Sequence, residues 1–201
     1  MTRRTRPLFF AGAGLAAVLA LGACGAGAGS SGSMNGMSGH GGTSSTSSTS
    51  AASSSRAGDV MFAQMMIPHH QQAIEMADLA LTNHTTSTAV RTLAEQIKGA
   101  QDPEIQTMQG WLREWGAPTG AAMDHGTAGM MTAQDMASLK AAKGQQFNRM
   151  WLQMMVEHHQ GAVTMAQDVQ STTEDPRVRQ LAQSVVDGQK KEIATMQGLL
   201  G

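Results

Sequence analysis

From residue 59 onward, apolar side chains recur at helical spacing. Met61, Met65, His69, Ala73, Met76 and Ala80 fall on one helical face, and Asp59 stands where it can cap that helix. The stretch 83–87 breaks the pattern. A second stripe follows over 88–115, through Val90, Leu93, Ala94, Ile97, Gln101, Glu104, Ile105, Met108, Trp111 and Leu112, and Gly116-Ala117-Pro118 stops it. Residues 24–57 hold mostly Gly, Ser, Thr and Ala, with almost nothing to bury, and read as a disordered tether.

The second half repeats the plan. Met65 and Met154, Met66 and Met155, His69 and His158, His70 and His159, and Met76 and Met165 all stand 89 residues apart. Past the first break the offset becomes 88, relating Leu93 to Leu181, Gln101 to Gln189, Glu104 to Glu192 and Met108 to Met196. A turn absorbs the difference. Each repeat is an αα-hairpin that cannot bury its stripe alone, so the chain is all-α, a four-helix bundle of two repeated hairpins. The bundle covers 58–201: repeat one at 59–115, a linker with a short helix at 116–144, and repeat two at 145–200. Thr132 and Asp135 form a capping box for that short helix over 132–142, with Gly144 near its end. A helix of this length measures about 38 Å, and the stretch 116–131 reaches about 50 Å when extended. A crossover along the bundle and an up-down-up-down path are therefore both open.

Composition adds a destination and a chemical bias. Arg3, Arg4 and Arg6, a short apolar run and Leu21-Gly22-Ala23-Cys24 make residues 1–23 an expected signal peptide with the ending of a bacterial lipobox, in which Cys24 is acylated. A plain secretory signal with an incidental cysteine, or twin-arginine export through Arg3-Arg4, would use the same residues. Cys24 is the single cysteine, which excludes a disulfide framework and a thiolate metal site. Net charge is -1, so there is no basic footprint for nucleic acid. Methionine, at 17, outnumbers Phe and Trp together, and it serves either as adaptable core filler or as a soft metal ligand.

The duplicated element joins these threads: Met65-Met66-Ile67-Pro68-His69-His70 and Met154-Met155-Val156-Glu157-His158-His159. Residues i and i+4 share a helix face, which puts a thioether one turn before each imidazole. Counting from the turn sets His69 near the height of Glu104 and His158 near Glu192, both carboxylates in stripe positions. A buried carboxylate needs a cation, an imidazolium or a metal. Two readings follow: these residues bind a metal, or His–Glu pairs fix helix register with Met as packing. Pro68 and Pro103 interrupt only the first repeat, which predicts bends there and two inequivalent halves. Outside the helices, Met34, Met37 and His40 lie in the tether, and Met123, His125, Met130 and Met131 in the linker. Methionines in solvated segments have no core to fill, which leaves two readings of them: flexible capture of Cu(I) or Ag(I), or low-complexity sequence that carries methionine by chance. His84 reads as a surface loop residue.

Asp59, Phe62, the Met-Met-x-Pro-His-His run, Ala73, Met76-Ala77, Leu93-Ala94, Gln101, Glu104-Ile105 and Met108, with their second copy, resemble the bacterial family called domain of unknown function 305 over nearly all of 59–200. The resemblance implies a ferritin-like bundle in an exported protein, and some members are linked to copper binding and copper tolerance. No Glu-x-x-His occurs, which argues against a di-iron ferroxidase. The expected function is that of a non-enzymatic lipoprotein, held at the membrane through Cys24, that buffers or hands over Cu(I). The rivals are a structural or partner-binding lipoprotein, and a redox enzyme carrying a metal or a haem, although no Cys-x-x-Cys-His attachment motif is present.

Overall fold

The computed structural model describes residues 46–119 and 129–201, with side chains from residue 54 onward. Five helices and no strand occur among them: α1 (Thr46–Thr82), α2 (Thr88–Glu114), α3 (Ala133–Ala141), α4 (Gly144–Thr172) and α5 (Pro176–Leu200). The helix ends follow local chemistry. Ser87 caps α2 through the Val90 amide at 3.3 Å. At its far end Ala117 N–H donates to Leu112 O and Gly116 N–H to Arg113 O, a Schellman closure that Gly116 permits with φ of +65°. Thr132 and Asp135 form the expected capping box, each side chain accepting from the other's amide. Asp175 caps α5, and Pro176 takes its first position.

Two expectations fail at the start of α1. The helix begins at Thr46, so Asp59 is not its cap but an internal residue only 2% exposed, and residues 46–57, expected in the tether, are helical. Contacts distant in sequence outweigh the weak helix propensity of this Ser-rich stretch. The Glu174 amide donates to Ser55 Oγ at 3.0 Å, Arg56 pairs with Asp175 at 3.3 Å, and its guanidinium lies 4.5 Å from the Trp115 ring. Arg177 extends this lock to Asp175 at 2.9 Å and Glu114 at 2.8 Å.

The path is a crossover. α1 packs on α2 and α4 on α5 as hairpins, with α1 against α4 between them. Trp151 Nε1 donates to Met76 O at 2.9 Å and His69 meets His158, so α1 and α4 run antiparallel. The Ser87 amide reaches Asn148 near the start of α4, while Glu114 at the end of α2 reaches Arg177 at the start of α5. The chain thus returns along the bundle between α2 and α4. Two apolar clusters fill the interior. One spans Phe62–Ile67, Ile105–Leu112, Ala162–Val169 and Val178–Val186; the other spans Ala73–Ala80, Val90–Ile97, Phe147–Met155 and Met196. On all four long helices the gap between clusters falls on polar residues: His69 and His70, Gln101 and Glu104, His158 and His159, Gln189 and Glu192.

Candidate metal centre

The gap between the apolar clusters is a polar layer to which each long helix contributes two side chains. All four histidines are at most 1% exposed. The sequence-based pairing is off by one residue: Glu104 Oε2 lies 2.8 Å from His70 Nε2, and Glu192 Oε2 lies 2.8 Å from His159 Nε2. Consecutive helical residues point about 100° apart, and height above the turn cannot tell them apart. The carboxylates are also less enclosed than their stripe positions implied, each keeping 19% of its side chain exposed.

His69 and His158 occupy the centre instead. Their ring centroids are 3.7 Å apart with planes inclined by 37°. Neither ring nitrogen of His158 makes a well-formed hydrogen bond, although the backbone of His69 lies close enough to act on the ring, and Nδ1 of His70 and of His159 is likewise buried without a partner. Burial, followed by the neighbouring His69, His159 and His70, pushes the His158 pKa well below its ordinary value. The ring is therefore neutral and its lone pair is available. Gln101 and Gln189 complete the layer one turn before each glutamate, both buried, Gln101 with both amide atoms unpaired and Gln189 with Oε1 unpaired. Sequence reasoning counted Gln101 as stripe and passed over both as site residues, although their repetition in Gln-x-x-Glu was the available signal.

The methionines divide. Met66 and Met155 are fully buried in the two apolar clusters on either side of the layer, whereas Met65 and Met154 are half-buried. Met131, expected in a solvated linker, is a core residue at 9% exposure: its amide donates to Gln72 Oε1 at 2.7 Å, and Gln72 Nε2 donates back to its carbonyl at 2.8 Å. The packing explanation that seemed closed to it therefore applies, and Met130 beside it is half-buried. Gly129 brings the linker onto the centre. With φ of +83°, a Cβ there would stand 2.6 Å from Glu157 O and 3.2 Å from His158 Cα. His84 is exposed in the α1–α2 turn. Cys24, Met34, Met37, His40, Met123 and His125 lie outside the described residues. Pro68 and Pro103 sit inside continuous helices, and the inequivalence expected of them does not reach the two equal His–Glu distances.

The donor set suits a soft ion. Among the described residues no group of three or more His, Cys, Asp or Glu side chains is arranged to hold a metal, as hard cations and zinc require. A monovalent d10 ion accepts low coordination numbers and takes neutral imidazole and thioether ligands. The orphaned nitrogens of His158 beside His69 fit that requirement.

The chain is 35% identical to a putative secreted protein DUF305 from Streptomyces coelicolor, whose crystal structure superposes with a TM-score of 0.67 over 71% of this chain and 91% of that one. It is 33% identical to CopM in its Cu(II)-bound form, with a TM-score of 0.62 over 71% of this chain and 95% of that one, and CopM has also been crystallised with Cu(I) and with Ag bound. A third relative, the Uncharacterized protein L153 of Acanthamoeba polyphaga mimivirus, is 36% identical over 53 residues, which are 26% of this chain and 35% of that protein. The chain thus spans about a third of the length of that curated relative. The family model described as Domain of unknown function (DUF305) matches residues 59–200, and this chain belongs to that family.

Proposed function

We propose that the protein is an exported carrier of soft monovalent metal, Cu(I) above all, anchored to the outer face of the cell membrane through an acylated Cys24. The observation that carries the reading is the central pair of imidazoles, His69 and His158, buried between two apolar clusters, with burial holding His158 neutral and neither of its nitrogens in a well-formed hydrogen bond. A fully buried polar side chain without partners is costly, and a cation bound there offsets that cost. Copper and silver complexes of CopM, a protein of similar fold and 33% identity, support the same ligand chemistry here. The ion is cargo. His69 and His158 would be its ligands, His70 and His159 would be oriented by Glu104 and Glu192, and Met65, Met66, Met154 and Met155 would supply thioethers one turn away. The tether and linker residues Met34, Met37, His40, Met123, His125 and Met130 would collect ions from solvent.

A second reading keeps one observation of its own: the 2.8 Å His70–Glu104 and His159–Glu192 contacts are enough to fix helix register without metal. Metal analysis and Cu(I) competition titration under reducing conditions, on wild type and on His158→Gln combined with His159→Gln, separate the two. The carrier reading expects the double variant to bind Cu(I) at least tenfold more weakly. Unchanged affinity with a large loss of apo stability would leave only the register role. Anchoring has its own test, because Cys24→Ala should move the protein from the membrane fraction to the soluble one, and retention in the membrane would refute acylation there.

A further inference from the structure

A groove of about 280 Å³ opens between α1 and α4 on the side of the histidine layer away from the α1–α2 turn, lined by Met61, Met65 and Met165 together with Gly58, Phe62, Asp168, Val169 and Thr172. We infer that Met61, Met65 and Met165 form a second, solvent-facing site for a soft monovalent cation. Met61 and Met65 are one turn apart on α1, and Met165 comes from the antiparallel α4. Met61 is 53% exposed, where a thioether gains almost nothing from packing. Asp168, one turn beyond Met165, offers a carboxylate to the charge of the ion. Thioethers need no deprotonation and select Cu(I) or Ag(I) over Zn(II) or Fe(II), and their three rotatable bonds let them close on an ion.

The duplication supplies an internal comparison. At the offset of 89, Met61, Met65 and Met165 correspond to Met150, Met154 and Met76. In that copy Met76 is fully buried, and Met150 and Met154 pack against the cluster that contains Met131 and Leu139 of the linker and α3. Gly58 and Asp168 correspond to Phe147 and Leu79. The groove on that side is lined by Leu79, Thr82, Asn83, Lys140, Lys143 and Phe147, with no thioether and two lysines that repel a cation. Among the described residues, the copy with glycine at position 58 leaves Met61 exposed and Met165 half-buried, where the counterparts Met150 and Met76 are half-buried and fully buried. Met65 also lies one turn before His69, so the groove adjoins the buried pair, although the site does not depend on the histidines holding metal.

The test is titration of the full chain, labelled with 13C-methyl methionine, with Ag(I) in chloride-free and thiol-free buffer. The Met61, Met65 and Met165 methyl signals should move on silver addition and stay still with Zn(II). Met61→Leu combined with Met165→Leu, which leaves Met65 in place beside the buried pair, should lower silver uptake in equilibrium dialysis by about one equivalent per chain, while Met150→Leu should not change it. Groove methyls that do not move at saturation, or equal uptake by the Met61→Leu/Met165→Leu variant and wild type, overturn the site. The His158→Gln/His159→Gln variant separates this proposal from the carrier reading. Its groove methyls should still respond, and loss of that response would mean the signals report the core and would overturn the groove. Wild-type uptake by the histidine variant, with an equivalent lost in the Met61→Leu/Met165→Leu variant, would remove the buried site and leave the groove standing.

Discussion

Replacing His158 by leucine turns the orphaned imidazole into a measurement. The side chain is 1% exposed and neither ring nitrogen makes a well-formed hydrogen bond. A buried polar group left unsatisfied costs about 1 to 3 kcal/mol, and leucine removes it. The two side chains have similar volumes, so the change of shape takes back less than about 1.5 kcal/mol. The metal-free variant should then be more stable than wild type by about 1 kcal/mol, equivalent to a rise of about 2 to 4 °C in Tm for a domain of this size. Silver should act in the opposite sense. At a free concentration of about a hundred times Kd, a ligand specific for the folded state adds about 2.7 kcal/mol, and the variant should lose most of that protection. Urea unfolding in chelator and again with buffered Ag(I) measures both quantities. An apo loss of about 2 kcal/mol or more would show the imidazole to be a satisfied part of the fold. Full silver protection of the variant would show that it is no ligand.

The His–Glu pairs should contribute less than a fully enclosed ion pair, because 19% of each glutamate side chain still reaches solvent. Glu104→Gln and Glu192→Gln should each cost about 1 to 2 kcal/mol in urea midpoints, and a large difference between them would contradict the equal geometry. Gly129→Ala should cost at least about 1 to 2 kcal/mol for its left-handed backbone, plus the displacement of the linker from Glu157 and His158. A midpoint within about 0.5 kcal/mol of wild type would show that the linker does not rest on α4 as described. The Arg177 hydrogen bonds hold the Asp175 carboxyl down at about 2 from 3.8, so its stabilisation is complete above the ordinary aspartate range and is lost as pH falls through that window. Asp175→Asn keeps the cap oxygen for α5 and should flatten the stability profile between those pH values, and an unchanged acid limb would refute the assignment.

Much of the fold was legible in the sequence because the repeat and the helical stripe are local, periodic signals. The α2 boundaries and the Thr132–Asp135 capping box came from residues a few positions apart, and the hairpin duplication from short motifs that recur 88 to 89 residues on. The misses required partners distant in sequence. The start of α1 moved to Thr46 through contacts of Ser55 and Arg56 with the α4–α5 turn and with Trp115. Met131 became core because Gln72 bonds its backbone across 59 residues. Which histidine of each pair faces glutamate depends on the meeting of α1 with α4, and no stripe on a single helix encodes that.

That meeting also explains what a doubled His-His element does. Two like hairpins packed face to face are related by an approximate twofold, and only residues close to that axis touch their own copies. His69 and His158 do so, with ring centroids 3.7 Å apart, while His70 and His159 lie off the axis and turn outward to glutamates at equal distances. One sequence element used twice therefore yields two kinds of position: a shared central pair and two oriented flanks. The single linker cannot obey the same symmetry. Among the described residues, Met131 and α3 pack with one copy of the outer methionine set, and the other copy lines the groove beside Gly58. The same duplication thus makes the two His–Glu flanks equal and leaves the two outer methionine sets different, and the buried pair and the groove each need their own test.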